Sequence, residues 1–279
     1  MKKLLLLSLL VCAPLVQAQL SQRFKNLWFD GNAEISSYEL TQTRYGQQRK
    51  GKAVLIFVTE DFLAIEQVKA NKKSKTTIPV IKSNRTKTYL TGIYPYSIMS
   101  SSFNSLRKKH PLIKSATSIQ EWCGQSYLQL NAKEKELNYT SHSYFEGEAD
   151  QQINLEKAMS EDALCNLLRF DPQLLPIGAF KLYPSLEMVR LNHINMEITE
   201  AIGEIKTGEY ILNIPSMGRS LRIQFDPEFP YTIEGWTETY ANKGENYRST
   251  AKRIHTERRQ YWAENDKRFE SLRIPFKLD

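Results

Sequence analysis

Two features of this sequence bear on chemistry: scattered carboxylates and clustered aromatic rings. Acidic residues recur at Glu60, Asp61, Glu121, Glu146 and Glu148. Glycoside hydrolysis needs two carboxyl groups facing each other across a bond, but a β-rich chain offers such pairs by chance, and no spacing singles one out. Aromatic and polar residues gather in Tyr94-Pro95-Tyr96, Glu121-Trp122-Cys123-Gly124, Tyr144-Phe145-Glu146, and Phe229-Pro230-Tyr231 with Gly235-Trp236. Such rings offer apolar area at low entropic cost, which suits sugars and lipids, and they also fill β-protein cores. There is no Gly-x-Ser-x-Gly elbow, Walker loop or dinucleotide fingerprint. The histidines His110, His142, His193 and His255 show no metal-ligand spacing. The sequence therefore points to no catalytic residue, no metal and no cofactor. The candidate ligand-binding residues are Arg44, Glu60, Tyr94, Tyr96, Glu121 and Trp122. Most of them fall where an expected strand begins, ends or bends. Arg44 and Glu60 are expected to meet across the first hairpin as an ion pair at the sheet margin.

The elements that must position these residues are mostly strands. Residues 33–45 read as a strand, 46–51 as a hairpin loop of about six residues, and 52–60 as a strand apolar on both faces and hence deep in a sheet. Residues 63–78 are basic and turn-prone. Strands are expected at 80–90, at 93–103 (with Pro95 limiting it to an edge or bulge), at 122–130 and at 137–145. One helix is expected over 160–170. Ser160 is its N-cap, Glu161 and Asp162 suit the positive end of its dipole, Ala163, Leu164, Leu167 and Leu168 form an apolar stripe, and Asp171-Pro172 ends it. Residues 150–159 read as a second short helix or a lead-in. Alternation then returns in Ile194, Met196 and Ile198, at 209–214, in Leu221, Ile223 and Phe225, and at 231–240, with a short helix near 263–272. Each strand of this meander carries one polar face, so at least one sheet face is wet or lines a cavity.

The first 18 residues have the three parts of a secretory signal. Lys2 and Lys3 precede an apolar run from Leu4, Pro14 breaks it, and Val16-Gln17-Ala18 supplies a cleavage site. Lipidation at Cys12 is the lesser alternative, because Val11 stands where a small residue is expected. The reading is a periplasmic or secreted protein with no other membrane anchor. Cys123 and Cys165 remain after cleavage, allowing one disulfide in an oxidising compartment, with burial as two apolar thiols the simpler expectation. A formal net charge of +7 with mixed signs gives no nucleic-acid footprint. The basic clusters at 69–75, 107–109 and 248–259 read as solvated loops or sheet faces, or as attraction to anionic glycans or lipid head groups.

Several strings carry a family resemblance: W-F-D-G-N-A-E-I-S-S-Y at 28–38, R-Y-G-Q-Q-R-K-G-K-A-V-L-I-F-V-T-E-D-F at 44–62, T-G-I-Y-P-Y-S-I-M at 91–99, S-I-Q-E-W-C-G at 118–124, S-Y-F-E-G at 143–147, and F-P-Y-T-I-E-G-W-T-E-T-Y at 229–240. They resemble an exported, poorly characterised family of Bacteroidota-type bacteria, often catalogued as "septum formation inhibitor Maf". Many members are lipoproteins, a pattern from which Val11-Cys12 departs. Maf nucleotide pyrophosphatases carry an S-x-S-P-R-R phosphate loop that is absent here, so that chemistry is not carried over. The resemblance implies an envelope location and a shared fold.

The expected fold is mainly β. It consists of antiparallel curved sheets, as a half-barrel or two-lobed architecture, with one or two short helices. The expected organisation is a signal at 1–18, a β-rich lobe at 19–150, a helical connector at 151–175 and a second β-rich lobe at 176–279. The expected function is non-catalytic binding of an apolar or amphipathic ligand (lipid or glycan) or an envelope protein. The alternative is a hydrolase of envelope polysaccharide or lipid.

Overall fold

The computed structural model describes residues 20–107, 112–242 and 245–278. The expected signal segment, 1–18, and its expected cleavage site lie outside them. The chain runs α1 (Gln22–Trp28), β1 (Ala33–Arg44), β2 (Gln47–Leu63), β3 (Val68–Lys69), β4 (Thr77–Thr91), β5 (Tyr94–Ser105), β6 (Leu112–Glu121), β7 (Gly124–Ala132), β8 (Glu136–His142), β9 (Gln151–Glu156) and β10 (Met159–Ser160). It continues through α2 (Leu164–Phe170), β11 (Gly178–Tyr183), α3 (Leu186–Leu191), β12 (Thr199–Lys206), β13 (Glu209–Ile214), β14 (Arg219–Phe225), β15 (Ile233–Asn242) and β16 (Glu245–Arg259). The protein is mainly β and antiparallel, as its alternating patterns imply.

All sixteen strands belong to one sheet. Its path runs from β10 through β11 to β16, crosses to β1, and continues through β2 and β4 to β9, with β3 paired to β2 off the path. The two ends of the path, β10 and β9, share no ladder. They are nevertheless neighbours in sequence, because only Lys157 and Ala158 separate Glu156 from Met159. Laid flat, fifteen strands would span roughly 65–70 Å. Three residue steps reach roughly 10 Å at most. The sheet must therefore curl until its edges nearly meet, and 157–158 crosses the seam of a barrel that does not close.

The inner face is apolar at both ends and polar across its waist. On β4, β5 and β6 the waist is Ser83, Ser100, Ser102, Ser115 and Thr117, all buried, with Ser100 and Thr117 hydroxyls 2.9 Å apart. The helical segment after the seam fills this interior. Ser160 caps its start by accepting from the Asp162 amide. Asn166 on α2 donates to the Ser102 carbonyl at 3.0 Å and to Asn104 Oδ1 at 2.7 Å. Arg169, fully buried, pairs with Glu34 of β1 and lies over the rings of Trp28 and Phe57. The buried charges of this segment and of α3 are held in shared ion pairs. Glu161 accepts two bonds from Arg219 of β14 at 2.7 and 2.8 Å, Arg219 also meets Glu238 of β15, and Glu187 of α3 takes Lys87 at 2.6 Å and Arg85 at 2.9 Å, both from β4. Burial opposes ionisation of Glu187 and Glu238. Lys87 and Arg85 outweigh it for the first, and Arg219 and Lys87 for the second, so both carboxyls sit below the usual range.

Asp162 is the exception. Its carboxylate accepts from the Ser115 hydroxyl at 2.8 Å and the Leu186 amide at 3.2 Å, yet burial prevails over the nearby Arg85 and pushes its pKa up from 3.8 to about 6. A raised carboxylate favours the folded state while it is protonated. Its contribution is therefore lost as pH rises from about 4 to about 6. Asp162→Asn is expected to flatten that part of the stability profile, as followed by urea unfolding across pH; an unchanged slope would contradict it.

Several expected elements differ. The first hairpin turns on two residues, Tyr45 and Gly46, both left-handed at φ 54° and 71°, and the polar stretch 47–51 continues β2 as an exposed strand end. β2 is central, between β1 and β4; Ala53, Leu55 and Phe57 are buried on one face, while on the other Val54 and Ile56 are half-buried and Val58 and Phe62 are buried. Pro95 is not on an edge strand. β5 pairs on both sides, and Pro95 sits opposite Leu90 before the pairing with β6 begins at Ser97. Residues 151–156 form β9 rather than a helix, because they extend the sheet beyond β8. Residues 194–198 are irregular, with Met196 buried against α3 instead of in a ladder. Cys123 is exposed in the β6–β7 turn and both cysteines are free, so the expectation of two buried thiols fails for Cys123.

Candidate ligand-binding cavity

The six residues singled out by sequence divide between places. Arg44, Tyr94, Tyr96, Glu121 and Trp122 come together at the strand ends that carry the Tyr45-Gly46 and Trp122-Cys123 turns. Arg44 donates to the Leu191 carbonyl at 2.6 Å and lies over the rings of Tyr45 (4.5 Å) and Tyr96 (5.4 Å). Tyr96 stacks on Tyr89 at 5.1 Å and shares a 2.6 Å hydroxyl bond with Tyr45. Tyr94 bridges Tyr96 to Trp122, at 6.0 and 6.4 Å between ring centroids. Glu121 accepts from the Cys123 amide at 2.7 Å. Glu60 is not part of this group, and the expected Arg44–Glu60 pair does not form. The antiparallel register sets Arg44 against Gln47 and Glu34 against Phe57, so Glu60 lies at the other end of the hairpin, where it meets Lys82 at 3.4 Å and Lys69 at 3.5 Å.

This aromatic end is packed rather than hollow. The gap bounded by Arg44, Tyr96, Glu121 and Phe145 has a volume of about 10 Å³, room for a single water. Trp122 stands outside it, 69% exposed, whereas Tyr96 is 3% exposed. Trp122→Ala is expected to change stability by no more than about 0.5 kcal/mol. Tyr96→Ala should cost about 3–5 kcal/mol, as for a buried aromatic. Thermal melts of the two variants check this, and equal losses would contradict it. A second gap of about 60 Å³ lies among Arg85, Lys87, Glu187, Arg219 and Glu238. Every carboxylate there is already held by a cation.

The large cavity is at the opposite end of the strands, beside the seam, with a volume of about 760 Å³. Three separate apolar clusters supply its wall without closing on one another. Ala163 and Leu167 come from the cluster around α2, Leu137 from the one between β8 and α3, and Ile113 from the one beneath Phe62. All four are buried. Half-buried Ile78, Leu112, Met159 and Phe180 complete the wall. Gln67 ties one side of the opening to β7. Its side chain donates to the carbonyls of Ala64 (2.8 Å) and Ala132 (3.3 Å) and accepts from Asn131 (2.9 Å). The charged residues on the cavity wall are the exposed Lys133, Glu134, Lys157 and Lys181. Lys157 donates to the Glu134 carbonyl at 2.6 Å, while Lys133 and Lys181 form no ion pair among the described residues. Among the described residues, no cluster of three or more histidine, cysteine or acidic side chains is placed to hold a metal.

Sequence reasoning missed this site. Ala163 and Leu167 were legible as one side of a helical stripe, but nothing in a stripe distinguishes a wall that meets side chains from one that meets empty space.

The chain matches no protein-family model, and no curated protein matches it. Two solved structures are similar in backbone. One is a β-barrel-like protein of a domain of unknown function from Brucella abortus, 6% identical, with a TM-score of 0.41 over 81% of this chain and 98% of that one. The other is a porin-like protein from Bacteroides uniformis, 7% identical, with a TM-score of 0.23 over 80% of this chain and 96% of that one. No helix among the described residues is long and apolar enough to cross a membrane, which says nothing of strands.

Proposed function

We propose that this is an exported protein that binds one amphipathic molecule, an acyl-chain compound with an anionic head, in the seam cavity. The observation that carries the reading is the cavity itself. Its volume of about 760 Å³ lies within the roughly 300–1,000 Å³ of small-molecule pockets. Its lining is mainly apolar, with Gln67, Ser105 and Ser160 as buried polar members, and its lysines stand at the exposed rim. An apolar chain gains by leaving water for such a wall, and a carboxylate or phosphate head gains by staying at the rim beside Lys133 and Lys181. Export rests on the signal-like segment 1–18, and an envelope setting would supply ligands of this class.

Titration with a fluorescent fatty acid tests the reading. Saturable binding of one probe per chain is expected, with displacement by an unlabelled fatty acid and weak competition from a neutral alkane diol of equal length. Absence of saturable binding, or equal competition by the diol, would contradict it.

A further inference from the structure

We infer that the cavity mouth is a docking surface for an anionic lipid bilayer, onto which the protein settles with its opening against the head groups. The inference rests on the reading of the cavity as a chain-binding pocket. It is carried by what surrounds the opening. Ile65 on the rim is 84% exposed; Val68 and Ile177, each next in sequence to the rim residues Gln67 and Pro176, are 47% and 64% exposed. They are set among lysines. The rim carries Lys133, Lys157 and Lys181 against Glu134 and Glu66, and the adjoining loop carries Lys72, Lys73 and Lys75, with Lys69 paired to Glu60.

Isolated apolar side chains interspersed with cations match the head-group zone of an anionic bilayer, where the lysines meet phosphates and the aliphatic tips reach the acyl boundary. A protein partner would instead be expected to bury a contiguous apolar patch depleted of lysine. The geometry also serves the cavity. An acyl chain leaving an apolar pocket into water loses its burial, whereas one leaving through a mouth pressed on a bilayer stays in apolar surroundings throughout. The aromatic end of the barrel, with Ile93, Trp122 and Tyr144 exposed, has only a gap of about 10 Å³ and so no pocket from which a chain could pass into a bilayer.

Co-flotation of the full chain with vesicles tests the inference, using phosphatidylcholine alone or mixed with phosphatidylglycerol. Binding is expected to the mixed vesicles only, and to fall as salt rises. Lys133→Glu with Lys181→Glu is expected to lower the bound fraction roughly tenfold. Ile65→Ser with Ile177→Ser, both at exposed positions, should lower it as well without changing the far-ultraviolet spectrum. No flotation of the unaltered chain would overturn the inference, as would flotation indifferent to the lysine pair. Loss with the lysine pair but not the isoleucine pair, together with equal binding to a soluble polyanion, would also overturn it and point to an acidic macromolecule. The fatty-acid titration in solution is read separately. Uptake without flotation overturns docking and leaves the cavity reading intact, and flotation without uptake does the reverse.

Discussion

Replacing Ala163 by tryptophan is expected to abolish ligand uptake while leaving the protein folded. Ala163 is on the cavity wall and 3% exposed, at the base of the turn that leads into α2. In a close-packed core such a change would cost roughly 1–3 kcal/mol from overpacking. Here the ring has empty space to enter, so the melting temperature should move by no more than roughly 4 °C. The ring would occupy volume that the acyl chain needs. Affinity for a fluorescent fatty acid should fall at least tenfold, about 1.4 kcal/mol or more. Met159→Trp, from the half-buried side of the same wall, should give a smaller loss in the same direction. Ligand-induced stabilisation supplies a second readout. A fatty acid at about 100 times its Kd should stabilise the unaltered chain by about 2.7 kcal/mol and the Ala163 variant hardly at all. Equal uptake by both would show that the chain binds elsewhere.

Arg219→Met is expected to be strongly destabilising. The guanidinium satisfies Glu161 with two bonds and Glu238 with a third, and all three residues are held inside the barrel. Removing the cation leaves two buried carboxylates facing one another, a loss of about 3–5 kcal/mol near neutral pH. Its pH dependence follows from the sign of the shifts. In the unaltered chain the Glu238 carboxyl is depressed, with Arg219 the main cation outweighing burial, so its stabilisation is present above the ordinary carboxylate range and lost as pH falls below it. In the variant Lys87 alone opposes the burial of Glu238, so that carboxyl protonates at less acid pH than in the unaltered chain. The gap between the two proteins should therefore narrow as pH falls toward about 4. Urea unfolding at pH 4 and pH 7 measures this. Adding Glu161→Gln and Glu238→Gln to Arg219→Met should recover part of the loss at pH 7, because no uncompensated charge then remains. A loss of less than about 1 kcal/mol at pH 7 would mean that the cluster is hydrated.

Much of the fold could be read from local pattern. In β7, Ser126, Leu128 and Leu130 turn inward and Gln125 and Tyr127 outward, as their alternation implies. Ser160, Glu161, Asp162 and Asp171-Pro172 bound the helical segment as capping chemistry requires. Turns that depend on rare conformations could not be read. Tyr45 adopts a left-handed backbone that its side chain gives no sign of favouring. Long-range pairing was equally hidden, since Ala33 of β1 lies opposite Arg259 of β16. The basic run at 248–259 reads as a sheet face or loop and turns out to be the strand that joins the first strand of the sheet to its last hairpin.

The candidate site shows the same division. Five of the six chosen residues converge because strand ends of one polarity share one rim of the barrel, which strand boundaries alone allow one to foresee. Glu60 was assigned to the wrong rim because Arg44 ends β1 beside the turn while Glu60 lies toward the far end of β2, a separation that any register of the hairpin imposes. The cavity could not be foreseen. It exists because β9 and β10 fail to pair and three apolar clusters stop short of one another, and an absence of contact leaves no residue pattern.

Photo-crosslinking tests the central claim most directly. A fatty acid bearing a diazirine near its chain terminus would be bound to the full chain, irradiated, and its attachment sites mapped by peptide mass spectrometry. The account predicts labelling of peptides containing Leu112 and Ile113, Leu137, Met159 to Leu167, and Phe180, competed by unlabelled fatty acid and lost in Ala163→Trp. Labelling centred on Tyr94, Tyr96 and Trp122, or labelling that excess unlabelled fatty acid does not reduce, would contradict it.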